Sequence, residues 1–156
     1  MFKFTIFRNP VERVISYYKK LQDIKKTATD KYYIKKGNSL IYRRMFNKDE
    51  LNLLGTFDEF LENIPKYRLL KQLYTFSKNY DVNEAVANVK KLNHFMFMED
   101  WDNGLASLNS KLGFELKNIR DNVGITEVDV PRTTRVKLIK MLKDEYLLYS
   151  KLWNTT

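Results

Sequence analysis

The start of the chain changes from a strand pattern to a helix pattern within a few residues. The first part is a short apolar run typical of a buried strand, formed by Phe2, Phe4, Ile6 and Phe7 around β-branched Thr5. Asn9 is a favourable N-cap, Pro10 suits the first helical position, and Glu12 follows Asn9 by three residues, as in a capping box. Apolar residues then recur at helical spacing, at Val11, Val14, Ile15, Tyr18 and Leu21. The pattern predicts a strand, a tight turn and a helix from Pro10 to about Lys26.

Two polar residues have no role in this strand–turn–helix pattern. Arg8 lies at the end of the strand, and Ser16 lies about two turns into the helix. A helix N-terminus carries free N–H groups and a positive dipole end, so it attracts anions, and an arginine there can add a bidentate phosphate contact. The alternative is a surface arginine and a tolerated helical serine. The residues by themselves favour the two interpretations equally.

The run Arg8-Asn9-Pro10-Val11-Glu12-Arg13, followed by Ser16-Tyr17-Tyr18, resembles the 3′-phosphate-binding motif of sulfotransferases. The likeness is to the Golgi carbohydrate type, including heparan sulfate 2-O-sulfotransferase, which uses 3′-phosphoadenosine 5′-phosphosulfate (PAPS). In that family an arginine ends the strand, a serine follows eight residues later, and both hold the 3′-phosphate. The resemblance therefore implies that Arg8 and Ser16 bind PAPS or its product 3′,5′-ADP (PAP).

Composition limits the other classes of function. The 156 residues are enough for one domain with a core, they contain no cysteine, and His94 is the single histidine, so a histidine or thiolate metal site is not expected. No apolar run approaches the ~20 residues of a membrane span, and no signal peptide opens the chain. We expect a cytoplasmic or otherwise soluble intracellular protein. The net charge of +9 favours anionic partners.

A basic segment with interleaved tyrosines follows the first helix. Such a segment can bind a polyanion, although the residues alone favour a solvated insertion. The resemblance implies that this region borders the acceptor cleft. The acceptor-binding candidates are therefore Lys25, Lys26, Tyr32, Tyr33, Lys35 and Lys36. The resemblance adds Gln72, since a glutamine on the corresponding helix of the family faces the cleft.

The rest of the chain reads as helices around a second strand. Capping signals at Thr56 and Asp81 predict two helix starts, Pro65 predicts an end or restart, and Gly113 predicts a C-terminal cap. Apolar spacing predicts continuous helices over 67–80 and 134–153, the second with a stripe of Val136, Ile139, Leu142, Tyr146, Tyr149 and Trp153. We expect an α/β fold, mostly helical, in which about six helices surround a small parallel sheet of strands Lys3–Phe7 and Phe95–Met98.

Further motifs extend the resemblance from Phe4 to the C-terminus. The run Thr56-Phe57-Asp58-Glu59-Phe60 and the strand ending in Glu99 both have counterparts in the family. Glu99 could act as a general base, but its position favours a cap for the following helix. Arg120 lies in a loop whose family counterpart closes over the nucleotide, so it is a candidate cofactor ligand. His94 opens its strand, away from the end where ligands bind, and we predict a structural role.

The resemblance implies a single, partial sulfotransferase domain over 1–156, with a P-loop-like sulfotransferase fold that is truncated. The family's strand–loop–helix motif for the 5′-phosphosulfate has no counterpart in these residues, and no residue is assigned as the base. The sequence therefore predicts a fragment, one half of a split protein or a reduced relative, with a missing N-terminal half as partner.

The favoured function is a PAPS-dependent enzyme that transfers a sulfuryl group to a carbohydrate hydroxyl, with this chain carrying the 3′-phosphate half. A saccharide acceptor is favoured over a phenol because the candidate acceptor segment is basic and tyrosine-rich rather than apolar. One alternative is a non-catalytic basic helical module that binds nucleic acid or an acidic glycan, although no recognised nucleic-acid motif is present. Another is an inactive sulfotransferase relative.

Overall fold

In the computed structural model, residues 1–28, 53–116 and 128–155 are described, and they contain two strands and eight α-helices. The strands are β1 (Phe4–Phe7) and β2 (His94–Phe97). A turn of 3-10 helix, Met98–Asp100, follows β2. The helices are α1 (Pro10–Ala28), α2 (Phe57–Asn63), α3 (Lys66–Leu69), α4 (Lys71–Phe76), α5 (Val82–Val89), α6 (Trp101–Leu112), α7 (Arg132–Met141) and α8 (Lys143–Trp153). The fold is α/β and mostly helical, which confirms the predicted class.

The two strands form the predicted parallel pair. Phe4 lies opposite His94, and Phe7 lies opposite Phe97. A parallel pair requires a long crossover connection, and the chain between β1 and β2 includes helices α1 to α5. Phe7 is buried whereas Phe4 and Ile6 are exposed, so β1 buries one face only. The prediction of a fully buried strand is wrong for the Phe4 and Ile6 side.

Local capping signals set several helix ends as predicted. Thr56 and Glu59 form a complete capping box at the start of α2. The side chain of Asp81 accepts a hydrogen bond from the backbone of Glu84 at the start of α5. Gly113 ends α6 with φ of 74°, in the left-handed region that glycine enters without steric cost. These ends depend on side chains within a few residues, and the sequence therefore predicts them.

The two predicted long helices are each divided in the structure. The backbone leaves helical geometry at Leu70, which separates α3 from α4, and at Leu142, which separates α7 from α8. This division explains why the described residues contain eight helices where about six were predicted. The predicted stripe over 134–153 is wrong at Val136, Ile139 and Trp153, which are exposed, whereas Leu142 is buried and Tyr146 and Tyr149 pack against the core. The buried positions there are Thr134, Leu138, Leu142, Glu145, Leu148 and Leu152.

The core forms where α1 packs between the sheet and the helices that follow. The predicted apolar stripe of α1 is confirmed, because Val11, Val14, Ile15, Tyr18 and Leu21 are all buried. The same cluster contains Phe7 and Phe97 from the sheet, and Phe60, Leu73, Leu148 and Leu152 from the other helices. Burying each such side chain contributes about 1.5–3 kcal/mol. This core fixes α1 against the ends of both strands, where the candidate site lies.

Candidate functional site

Asn9 caps α1 at the turn that follows β1. Its Oδ1 accepts hydrogen bonds from the backbone N–H groups of Val11, at 3.0 Å, and Glu12, at 3.3 Å. The hydroxyl of Tyr146 donates to the same oxygen at 3.1 Å. The return bond of the predicted capping box is absent, and Glu12 instead forms an ion pair with Arg135 at 3.1 Å. The N-cap prediction is therefore confirmed, and the capping-box partner is wrong.

Glu99 takes the place of that missing partner. One of its carboxylate oxygens accepts the backbone N–H of Asn9 at 2.7 Å, and the other accepts the hydroxyl of Tyr149 at 3.0 Å. Burial, and then the bond to Glu99, raise the pKa of Tyr149, so the phenol keeps its proton and continues to donate. The prediction that Glu99 caps the helix after it is wrong. It caps α1 and thereby ties the end of β2 to the turn after β1.

These bonds leave no free amide in the first turn of α1. Pro10 has no N–H, Asn9 donates to Glu99, and Val11 and Glu12 donate to the Asn9 side chain. The expectation that free backbone amides attract an anion here is therefore not met. An anion at this turn has to be held by side chains, with the helix dipole as a weaker contribution.

Arg8 and Ser16 are the side chains that the sequence predicts for that task. Both are partly buried, and neither the Arg8 guanidinium nor the Ser16 hydroxyl has a hydrogen bond or ion pair with any other residue that the structure describes. Ser16 follows Arg13 by three residues and precedes Lys20 by four, so these side chains share one face of α1. A guanidinium and a hydroxyl are suitable donors for a phosphate.

The backbone of Arg8 is held by the side chain of Gln72 on α4. The Gln72 amide oxygen accepts the Arg8 N–H at 2.8 Å, and the amide nitrogen donates to the Arg8 carbonyl at 3.0 Å. The amide thereby pairs with Arg8 as a neighbouring strand would, one residue beyond the end of the β1–β2 ladder. Contact between Gln72 and an acceptor stays a prediction.

Behind Gln72 lies a buried carboxylate, Glu145 of α8. It is 0% exposed, and one oxygen accepts Arg13 Nε at 2.9 Å and Gln72 Nε2 at 3.3 Å. The other oxygen accepts the backbone N–H groups of Gln72, at 3.0 Å, and Leu73, at 3.3 Å. Arg13 also donates to the carbonyls of two residues at the end of α3, Arg68 and Leu69. Burial raises the pKa of Glu145, and the nearby Arg13 guanidinium opposes that change.

An open groove of about 410 Å³ lies between α1 and the α3–α4 region. Among the described residues, its lining includes two tyrosines and three cationic residues: Arg13, Tyr17, Tyr67, Arg68 and Lys71. Arg68 donates to the hydroxyls of Tyr17, at 2.8 Å, and Tyr67, at 3.2 Å. No carboxylate is among these lining residues. The groove adjoins the face of α1 that carries Ser16, because Arg13 and Tyr17 flank Ser16 on that helix.

The remaining predicted site residues are not gathered at this turn. Lys25, near the end of α1, donates to the carbonyl of Leu54 at 2.9 Å. Lys26 belongs to α1, and its side chain lies outside the described part of the chain. The other candidates also lie outside the described residues: Tyr32, Tyr33, Lys35, Lys36 and Arg120. Their proposed roles in acceptor and cofactor binding stay predictions.

Sequence reasoning assigned no site role to four residues that build this site: Arg13, Glu145, Tyr146 and Tyr149. Their partners are distant in sequence, with 132 positions between Arg13 and Glu145 and 137 between Tyr146 and Asn9. The available signal was an acidic residue, Glu145, in the middle of an otherwise apolar helical stripe. A charged residue on a core face requires a buried partner, and that requirement could have pointed to Arg13.

Two general features of the described residues bear on function. No cluster of three or more histidine, cysteine, aspartate or glutamate side chains there has the arrangement of a metal site. No helix in the same part of the chain is long and apolar enough to cross a membrane.

Gln72 and Glu99 hold the turn of the strand–turn–helix that carries Arg8 and Ser16. This arrangement agrees with a family assignment over nearly the whole chain. Residues 1–151 match the sulfotransferase family, and the chain belongs to that family. Neither the curated proteins nor the solved structures contain a significant match to it. The small parallel sheet with its surrounding helices is consistent with an α/β fold of the sulfotransferase type.

Proposed function

We propose that this sulfotransferase-family chain binds the 3′-phosphate of PAPS and belongs to an enzyme that transfers the sulfuryl group to a carbohydrate hydroxyl. The observation that carries the proposal is the pair Arg8 and Ser16. Their side chains are not engaged by other described residues, whereas the turn that bears Arg8 and leads into α1 is held by Gln72 and Glu99. A fixed backbone with unengaged donors suits a phosphate site, because little order has to be gained on binding.

PAPS would supply the sulfuryl group, and the residues of this chain would orient it. Arg8 would hold the 3′-phosphate through charged hydrogen bonds, and Ser16 would donate one more from the adjacent face of α1. Anchoring the nucleotide away from the reacting sulfur limits its motion, which favours in-line attack by an acceptor hydroxyl. The 5′-phosphosulfate motif and the base would come from a partner segment, the proposed N-terminal half.

The test is calorimetry with 3′,5′-ADP, the product that retains the 3′-phosphate. We expect the wild-type chain to bind and Arg8→Ala to weaken binding by about 1.5–3 kcal/mol, the typical loss for a hydrogen bond to a charged group. Arg132→Ala, an exposed arginine of α7, is the matched control and should leave the affinity unchanged. Absence of binding by the wild type, or equal binding by wild type and Arg8→Ala, would contradict the proposal.

The groove beside Ser16 supports the proposal that the acceptor is a carbohydrate, as in the Golgi carbohydrate sulfotransferases. Its volume of about 410 Å³ is within the range of roughly 300–1,000 Å³ common for ligand pockets. Tyrosine faces stack on the apolar faces of sugar rings, and Lys71 offers a cation for a carboxylate or sulfate. The basic segment with Tyr32, Tyr33, Lys35 and Lys36 would extend the same surface. The likeness to glycan-modifying sulfotransferases is an analogy that points the same way.

A second candidate function is a non-catalytic module that binds polyanions. The net charge of +9 is the observation that favours it. Such binding would weaken steeply with added salt and would not depend on Ser16. Ser16→Ala therefore separates the two functions, because it weakens 3′,5′-ADP binding only if a defined 3′-phosphate site exists.

A further inference from the structure

We propose that Glu145 is a positioning residue for the 3′-phosphate site, acting on Arg8 through Gln72 and Arg13. This inference rests on the proposed function of Arg8. Glu145 is the single carboxylate that is fully buried among the residues the structure describes. It lies 73 positions from Gln72 and 132 from Arg13, and it contacts both.

A carboxylate in the core costs desolvation free energy that an apolar side chain would not. Replacement of a buried ion pair by apolar residues of similar volume is often neutral or stabilising, whereas removal of one partner is costly. Here both carboxylate oxygens are satisfied, and the Arg13 guanidinium lies 2.7 Å away. A complete set of partners around a charge at this depth fixes a unique arrangement of neighbours more than it adds stability.

Glu145 determines which way the side-chain amide of Gln72 faces. The amide nitrogen donates both to Glu145, at 3.3 Å, and to the Arg8 carbonyl, at 3.0 Å. A flipped amide would place its oxygen against the carboxylate and the carbonyl, and its NH₂ against the Arg8 N–H. Both contacts would be repulsive. The carboxylate therefore holds the Gln72 oxygen in the orientation that accepts the Arg8 N–H at 2.8 Å.

Arg13 forms the second arm of the same arrangement. It carries the charge that balances Glu145, and it donates to the carbonyls of Arg68 and Leu69. Those carbonyls lie at the end of α3, just before its C-cap Leu70, and the last carbonyls of a helix have no partner within it. Arg13 thereby sets the distance between α1 and the start of α4, and Gln72 is the second residue of α4.

The consequence is that the main chain of Arg8 is fixed before any ligand arrives. Only the rotamers of its side chain have to be ordered when the phosphate binds, which lowers the entropic cost of binding. Loss of the Glu145 carboxylate would free the Gln72 amide to rotate and would loosen Arg8 without removing any group that touches the ligand.

The experiment is a double-mutant cycle on 3′,5′-ADP affinity, with folding followed by thermal unfolding. Glu145→Gln keeps the shape but replaces one oxygen by an NH₂ group that faces donors, and Gln72→Met removes the amide. We expect each to weaken binding by about tenfold, and we expect no further loss when either is added to Arg8→Ala, because both act through Arg8. Asp144→Asn, one residue away on the exposed side of α8, is the control and should bind like the wild type.

A role in stability alone would give a different result. In that case the variants would unfold at lower temperature but bind with wild-type affinity while folded, or their loss of affinity would persist unchanged in the Arg8→Ala background. Either result overturns the inference. If Glu145→Gln does not fold, the affinity of Gln72→Met for 3′,5′-ADP provides the test, because Gln72 is partly exposed. A wild type that does not bind 3′,5′-ADP would instead reject the proposed function, and the inference with it.

Discussion

At the scale of a single residue, His94 shows how burial changes the pKa of a side chain. The ring is buried at the start of β2, with Nε2 at 3.3 Å from the carbonyl of Gly104 and Nδ1 at 3.2 Å from the ammonium of Lys111. Burial lowers the pKa of His94, and the positive charge of Lys111 lowers it further, while the bond to Gly104 opposes both. These contacts agree with the structural role that the sequence predicted.

This lowered pKa predicts a loss of stability in mild acid. Below the ordinary histidine pKa of about 6.5, the unfolded chain takes up a proton that the folded chain does not. The free energy of unfolding therefore decreases as the pH is lowered. The loss is about 1.4 kcal/mol for each unit by which the pKa is lowered. Thermal unfolding between pH 7.5 and 5.5 measures it. His94→Gln should weaken the dependence, since this is the single histidine, and parallel curves for the two proteins would contradict the prediction.

At the scale of an element, the packing of α6 against β2 depends on Gly104. A Cβ built at this position would lie 2.8 Å from the Cβ of Met96 and 2.9 Å from its Cε, closer than van der Waals contact. We expect Gly104→Ala to lower the melting temperature, because overpacking costs about 1–3 kcal/mol and outweighs the ~1 kcal/mol that alanine adds to a helix. Ser107→Ala, exposed on the same helix, is the control and should be neutral or slightly stabilising. A Gly104→Ala variant as stable as the wild type would show that Met96 can move aside.

At the scale of the whole molecule, the excess of positive charge can act as a defined acceptor site or as a general attraction. Lys71 borders the groove, whereas Lys143 at the start of α8 is exposed elsewhere. We expect Lys71→Gln to weaken binding of a heparin oligosaccharide by about 1.5 kcal/mol, as for one charged hydrogen bond, and Lys143→Gln to change it little. The two variants have the same net charge, and the affinity of each for the oligosaccharide is measured at two salt concentrations.

Other outcomes of that experiment identify the alternatives. Equal losses from Lys71→Gln and Lys143→Gln would indicate binding by net charge, as for a non-catalytic module. Replacement of Lys25, Lys26, Lys35 and Lys36 by glutamine tests the basic segment directly. A loss in that variant without one in Lys71→Gln would place the acceptor on the segment and not in the groove.

Much of the fold follows from signals that act within a few residues. The N-cap of Asn9, the capping box of Thr56, the cap of Asp81 and the left-handed Gly113 each involve neighbours along the chain. The apolar stripe of α1 could also be predicted from the sequence, because one face of a helix repeats at a fixed spacing. The breaks at Leu70 and Leu142 could not be predicted. Around Leu142 the buried positions continue in phase from Leu138 to Glu145, so the hydrophobic pattern carries no mark of a break.

The sequence by itself determined where strand β1 ends and where α1 begins, with Arg8 at that turn and Ser16 about two turns into the helix. Only the tertiary structure decided what holds the turn in place. Glu99 reaches it across 90 positions, Gln72 across 64, and Glu145 contacts Gln72 across 73. The physical reason is that a buried polar group needs a partner but not one at any particular sequence distance. Folding brings those partners together through packing of the apolar faces, and the pairing of polar groups follows from that packing.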